Sequence, residues 1–226
     1  MKLLDDFFRT EFTVDYLISQ LRPVSVALWD GIVMGGGVGI SIHSNIKVAT
    51  ENSVFAMPEA ELGFFTDVGG SYFLPRLPHN IGYLLGLTGH RLKGKDLVQT
   101  GLADYFIKRE KLPEIEEELL NNKDIADIKD VHSVLSKHAE AIDKKYEGEE
   151  TIEKIFSKPT LHDIYEELKR TEDSEFSKNV LKLWAKQCPL SMRVIFEQLK
   201  RGKNMSLKEC FKMDFRLTQQ YSFNDL

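Results

Sequence analysis

Apolar residues follow two different rhythms along the chain. In the first half they come in short runs, at residues 24–28, 47–50, 53–57 and 102–107, separated by glycine and proline. Runs of this length bounded by turn residues predict short strands. The first, VSVAL directly after Pro23, predicts a buried strand that passes through a glycine-rich turn, residues 31–39, into a helix. Pro58 ends the strand at 53–57, because its ring leaves no N–H for a ladder. Residues 80–87 and 95–100 predict short helices closed by Gly89 and Gly101. The repeating unit is strand, strand, helix.

In the second half the apolar spacing becomes helical. Leu161, Ile164, Tyr165 and Leu168 fall at i, i+3, i+4 and i+7, behind a Thr160/Asp163 capping pair. Phe176, Val180, Leu183 and Trp184 form a second stripe. Met192, Ile195, Phe196 and Leu199 form a third behind Pro189, which suits a first helical turn. A fourth helix is predicted from Ser206, with Glu209 completing a capping box. Trp184 reads as a core residue and the acids of 114–118 as a solvated helix face. Thirteen of the fifteen glycines lie between Gly31 and Gly101, which marks the same division. The expected organisation is an α/β region over 1–110 followed by a helical region over 111–226.

Composition narrows the function classes. At 42% hydrophobic and 29% charged residues the chain has the balance of a globular protein. A formal net charge of -5 gives no general positive field for nucleic acid or anionic lipid. No run of apolar residues is long enough to span a membrane. Cys188 and Cys210 form no CxxC and read as small core residues, so no disulfide framework or zinc site is expected. The opening MKLLDDFFRTEF carries Asp5 and Asp6 and lacks a long apolar core, so it reads as neither a signal nor a transit peptide.

Three local patterns bear on chemistry. Gly35, Gly36 and Gly37 end a strand and open a helix, where free backbone N–H groups favour an anion; close helix–sheet packing explains the same glycines equally well. The dinucleotide fingerprint fails at Ile40, and the run from Gly89 to Asp96 lacks the Ser or Thr of a phosphate loop. Arg91, Lys93 and Lys95 read as a solvated turn within reach of a ligand phosphate. Glu59 follows Met57-Pro58, and Asp67 precedes Val68-Gly69-Gly70 with an apolar stretch between them. Desolvation there raises carboxyl pKa values toward acid–base use; the alternative is that Asp67 caps a helix and Glu59 closes a turn. His43 lacks a serine nucleophile partner and reads as structural.

The run from Asp30 to Ser41, then Val48-Ala49-Thr50-Glu51, Phe55-Ala56-Met57-Pro58-Glu59 and Leu62 through Leu77, resembles the 3-hydroxyisobutyryl-CoA hydrolase branch of the crotonase superfamily. The likeness continues more loosely through Cys188-Pro189-Leu190-Ser191 to Phe215-Arg216-Leu217. It implies a crotonase-like spiral of strand-strand-helix units, partial here, followed by helices. It implies an acyl-CoA thioester hydrolase of mitochondrial valine breakdown, with no cofactor or metal beyond the CoA of the substrate. By resemblance, Glu59 and Asp67 are the catalytic carboxylates, Gly36 gives one oxyanion N–H, and Glu11 contacts substrate. Enoyl-CoA hydratases carry a second glutamate where Gly39 stands, so the resemblance favours hydrolysis over hydration. Thr66 stands where these hydrolases usually have proline before the aspartate.

Members of the branch extend further at both ends, and their N-terminal part supplies the second oxyanion N–H. The chain is therefore expected to be an interior piece with weakened activity, and to self-associate or bind full-length subunits. Two other readings stay open: an inactive partner of full-length subunits, or an enoyl-CoA hydratase/isomerase.

Overall fold

The structure, a computed structural model, describes residues 2–223. An amphipathic helix, α1 (Lys2–Ser19), leads into β1 (Val26–Trp29) and β2 (Ile32–Val33). Then follow α2 (Gly36–Ile42), β3 (Ile46–Ala49) and β4 (Val54–Phe55). The α/β part continues with α3 (Gly70–Phe73), α4 (Ile81–Thr88), β5 (Leu92–Lys93), α5 (Asp96–Gln99) and β6 (Tyr105–Phe106). The remaining regular elements of the described chain are helical, from α6 (Leu112–Asn121) and α7 (Ile128–His138) to α8 (Glu149–Phe156) and α9 (Leu161–Arg170). α10 (Glu175–Trp184), α11 (Pro189–Gly202) and α12 (Leu207–Phe223) complete it.

Two small sheets organise the first half. One is parallel in the order β1-β3-β6, with Val26 opposite Ile46 and Val48 opposite Tyr105. The other has the order β2-β4-β5, with β2 and β4 parallel and β5 antiparallel. β1, β4 and β6 are shorter than their apolar runs, whereas β3 keeps its length one residue earlier, and side chains explain where β4 and β6 begin. Ser53 turns its hydroxyl to the Trp29 carbonyl and accepts the Thr50 N–H, closing a turn before β4. The Asp104 carboxylate takes the Lys47 N–H, so only Tyr105 and Phe106 remain for pairing with β3. β1 starts two residues later than expected and is half-buried over most of its length, because among the described residues β3 is its only strand partner. The buried strand is instead the central β3, with Ile46, Val48 and Ala49 sealed.

The helical half follows the spacing closely. Thr160 accepts the Asp163 N–H to cap α9, Pro189 opens α11, and Ser206 and Glu209 exchange bonds ahead of α12. Gly89 closes α4 in a left-handed conformation, as expected of a C-terminal glycine. Glu114, Glu116 and Glu117 lie on the exposed face of α6. Two details differ from expectation. Trp184 is only half-buried and packs on Tyr165, and Cys188 sits at the half-exposed start of α11, whereas Cys210 is buried. The main core runs from Phe12 on α1 through Phe55 and Leu84 to Ile195 and Phe211, so elements of both halves share one apolar interior.

Candidate active site

The site begins on α1. Phe8, Glu11, Phe12 and Asp15 fall on one helical face, which packs against α2. Two glycines make that approach possible. A Cβ at Gly36 would lie 3.1 Å from Glu11 Oε1, and one at Gly39 would lie 2.5 Å from Asp15 Oδ2. Gly36 opens α2, and no acceptor for its N–H is found among the described residues. The strand-to-helix bend therefore presents a bare N–H beside the Glu11 carboxyl, the geometry from which an oxyanion is stabilised.

Glu59 and Asp67 arrive on the far side of an apolar loop. The Glu59 carbonyl accepts the N–H groups of Leu62 and Phe64, which curls the loop back after Pro58. The Cys188 N–H at the start of α11 holds the Ala60 carbonyl at 2.9 Å. Between the two acids in the chain, Phe64 stacks on Phe8 and Phe65 packs on Tyr221. Glu59 is 5% exposed and its Oε2 has no partner. Burial pushes its pKa up to about 8. Asp67 also rises to about 8, first through burial and then through the charges of Glu59, Glu11 and Asp214. Glu11 is raised by burial as well. Glu11, Glu59 and Asp67 thus meet in one electrostatic neighbourhood beside the Gly36 bend. Glu11 lies against Gly36, and the charges of Glu11 and Glu59 both reach Asp67.

Asp67 is not a helix cap. Gly69, which has no side chain to cap with, takes the N-cap position of α3. Asp67 instead heads a turn in which Val68 has φ +48° and Gly69 φ +81°. Valine in the left-handed region costs about 1 to 3 kcal/mol, so the surroundings must impose it. His43, at the C-cap of α2, supports that turn through Nε2, 3.0 Å from the Val68 carbonyl; burial lowers its pKa, and it is structural as the sequence suggests. In the basic turn, Lys95 pairs with Glu140 and lies over Phe106.

Two buried acids escaped the sequence reading. Asp15 is fully buried with both oxygens unpartnered, and burial with the Glu11 charge raises its pKa to about 7. Asp214 of α12, also fully buried, accepts from the Gly69 N–H, Ser71 Oγ and Gln198 Nε2, and burial takes its pKa to about 7. A usable signal existed for both: each stands within an apolar helical stripe, Phe8-Phe12-Asp15 and Cys210-Phe211-Asp214. Among the described residues, no grouping of His, Cys, Asp and Glu has the arrangement of a metal site, and no helix is long and apolar enough to cross a membrane.

Comparison with known proteins gives this geometry a context. The family described as enoyl-CoA hydratase/isomerase matches residues 1–225. A mitochondrial 3-hydroxyisobutyryl-CoA hydrolase of Xenopus tropicalis is 42% identical over 226 residues, covering 96% of this chain and 58% of that protein. The protein of the same name from Rattus norvegicus is 44% identical over 225 residues, with the same two shares. The chain therefore spans less than two thirds of the curated relatives it matches. A carnitinyl-CoA dehydratase from Mycobacterium thermoresistibile superposes with a TM-score of 0.88 at 28% identity, over 98% of this chain and 64% of that one. An enoyl-CoA hydratase from Rhodobacter sphaeroides does so at 0.85 and 29%, over 98% and 63%. The fold is the expected crotonase-like α/β arrangement followed by a mostly helical region.

Proposed function

The chain belongs to the enoyl-CoA hydratase/isomerase family, and from that premise we propose that it carries the hydrolytic site for an acyl-CoA thioester, with 3-hydroxyisobutyryl-CoA as the substrate. The acyl group and a mitochondrial location are those in the names of the relatives. The observation that carries the proposal is the coupling of buried Glu59 and Asp67 to each other and to Glu11, whose carboxyl lies against Gly36.

The chemistry follows from placing the thioester carbonyl oxygen at the Gly36 N–H. Negative charge that develops on that oxygen is met by a dipole already fixed in place. Two neighbouring carboxyls do not readily ionise together, so near pH 8 one keeps its proton while the other is charged. Glu59 takes the ionised role and removes a proton from water as the water oxygen bonds to the carbonyl carbon. Asp67 takes the protonated role and gives its proton to sulfur as the C–S bond breaks. The products are the carboxylic acid and the CoA thiol. Glu11 contacts the acyl portion from α1. No further cofactor or metal takes part.

The test is thioester cleavage by the chain with 3-hydroxyisobutyryl-CoA, compared with Glu59→Gln. General acid–base catalysis supplies about a hundredfold or more, and the variant should lose at least that. The wild-type rate should trace a bell against pH, centred near 8, whose limbs belong to the pair rather than to either acid. Cleavage indifferent to Glu59→Gln, or addition of water to crotonyl-CoA outpacing cleavage, would overturn the assignment.

A further inference from the structure

The turn that carries Asp67 does not hold itself. It contains two consecutive left-handed residues, one of them valine, and Asp67 has no helix or strand of its own to fix its direction. Such a backbone persists only where the surroundings over-determine it. The surroundings do so from two more helices besides α2. On the N-terminal side of Asp67, Gln198 of α11 grips Thr66 with both ends of its amide. Nε2 donates to the Thr66 carbonyl at 2.7 Å, and Oε1 accepts the Thr66 hydroxyl at 3.1 Å. On the C-terminal side, Asp214 of α12 accepts the Gly69 N–H at 3.2 Å and the Ser71 hydroxyl at 2.8 Å. The two halves are joined, because Gln198 Nε2 also reaches Asp214 Oδ1 at 2.9 Å.

We infer that Gln198 and Asp214 are positioning residues, which aim the Asp67 carboxyl by clamping Thr66 before it and Gly69 after it. Thr66, Gln198 and Asp214 are at most 2% exposed, so water does not compete for these bonds. Buried networks of this kind are rigid when every member is satisfied. The Thr66 hydroxyl does here by hydrogen bonding what a ring-locked residue would do by covalent restraint. Asp214 has a second effect on the same acid, since its charge, with those of Glu59 and Glu11, opposes ionisation of Asp67. The other titratable groups at the clamp are His43, at the Val68 carbonyl, and Cys210, one turn before Asp214 on α12.

This inference rests on the reading of Asp67 as a reacting group, but its test does not need turnover. The Asp67 carboxyl is titrated by carbon NMR in the wild-type chain and in Asp214→Asn, with amide hydrogen exchange at Gly69 and thioester cleavage measured alongside. Asp214→Asn removes the charge and leaves at least one donor facing a donor. The Asp67 midpoint should fall by about half a pH unit or more, and Gly69 exchange should quicken at least tenfold. Thr66→Val deletes only the hydroxyl, so it carries the test where Asp214→Asn does not fold. It should quicken exchange through the turn and reduce kcat about tenfold with KM little changed, while Thr66→Ser restores both. Folded variants with an unmoved Asp67 midpoint and unchanged Gly69 exchange would overturn the clamp. A shifted midpoint in a chain that cleaves no thioester would leave the clamp standing and remove the hydrolase reading.

Discussion

Asp15 on α1 (the front) and Asp214 on α12 (the rear) answer the same burial in opposite ways. Both are sealed from water, and burial takes both to about 7. Asp214, at the rear, meets three donors from the Asp67 turn, α3 and α11. Asp15, at the front on α1, meets none and sits against Gly39 and Glu11. The difference teaches where the fold is finished. The rear is a satisfied network that fixes a backbone, whereas the front leaves buried carboxyl oxygens of Asp15 and Glu59 without partners. Unpaired buried acids are costly, and active sites are where proteins keep them.

Helix contacts offer the strongest way to break that contrast. A Cβ at Gly202 would fall on the Ser71 carbonyl, backbone against backbone, whereas at Gly39 it meets only the Asp15 side chain. Gly202→Ala should therefore cost about 3 kcal/mol or more and Gly39→Ala about 1 to 2, read as urea midpoints. Equal losses would mean that the rear is no stiffer than the front.

Removing each aspartate sharpens the comparison through its sign. The folded-state pKa of Asp15, about 7, lies above the unfolded value, so the folded chain binds that proton more tightly. This contribution to stability is present at low pH and is lost as pH rises from about 4 to about 7. Asp15→Asn should gain on wild type across that window, reaching roughly 2 kcal/mol at pH 8 and little at pH 4. Asp214→Asn should lose about 2 kcal/mol at pH 4, since three donors lose a full acceptor, and because the Asp214 pKa is likewise raised to about 7 that loss should shrink toward pH 8 without changing sign. Denaturant melts at pH 4 and 8 read both effects, and a matching sign for the two variants would erase the distinction.

The smallest expected effect concerns the outer surface of the front. Leu3, Phe7, Val14 and Leu17 of α1 are 85%, 54%, 42% and 55% exposed, and β1 is an edge strand. Exposed apolar stripes and open edges favour association between chains. Phe7→Ser combined with Leu17→Ser should lower the weight-average mass in sedimentation while changing monomer stability by no more than about 0.5 kcal/mol. An unchanged mass would show that this face is not sticky.

The sequence made some of this readable and hid the rest for definable reasons. Glu59 and Asp67 stood out because proline and paired glycines mark them as ends of elements, and α9, α11 and α12 announced themselves through Thr160, Pro189 and Ser206. Those are local signals, complete within a few residues. The length of β4 was not local, since the hydroxyl of Ser53 spends itself on Trp29 across 24 positions. Asp214 is more distant still, 145 positions from the amide it holds. Nothing near it in the chain names that partner, although an acid inside an apolar stripe is a sign that one exists.

The backbone of Val68 carries a consequence for the order in which the molecule completes itself. A short peptide with this sequence would keep its valine in an extended or right-handed state, so the bend cannot be seeded by its own residues. It can close only after α2, α11 and α12 have converged from three distant stretches of chain. The direction of the Asp67 turn is then a property of the assembled molecule alone, and no isolated stretch of the chain would carry it.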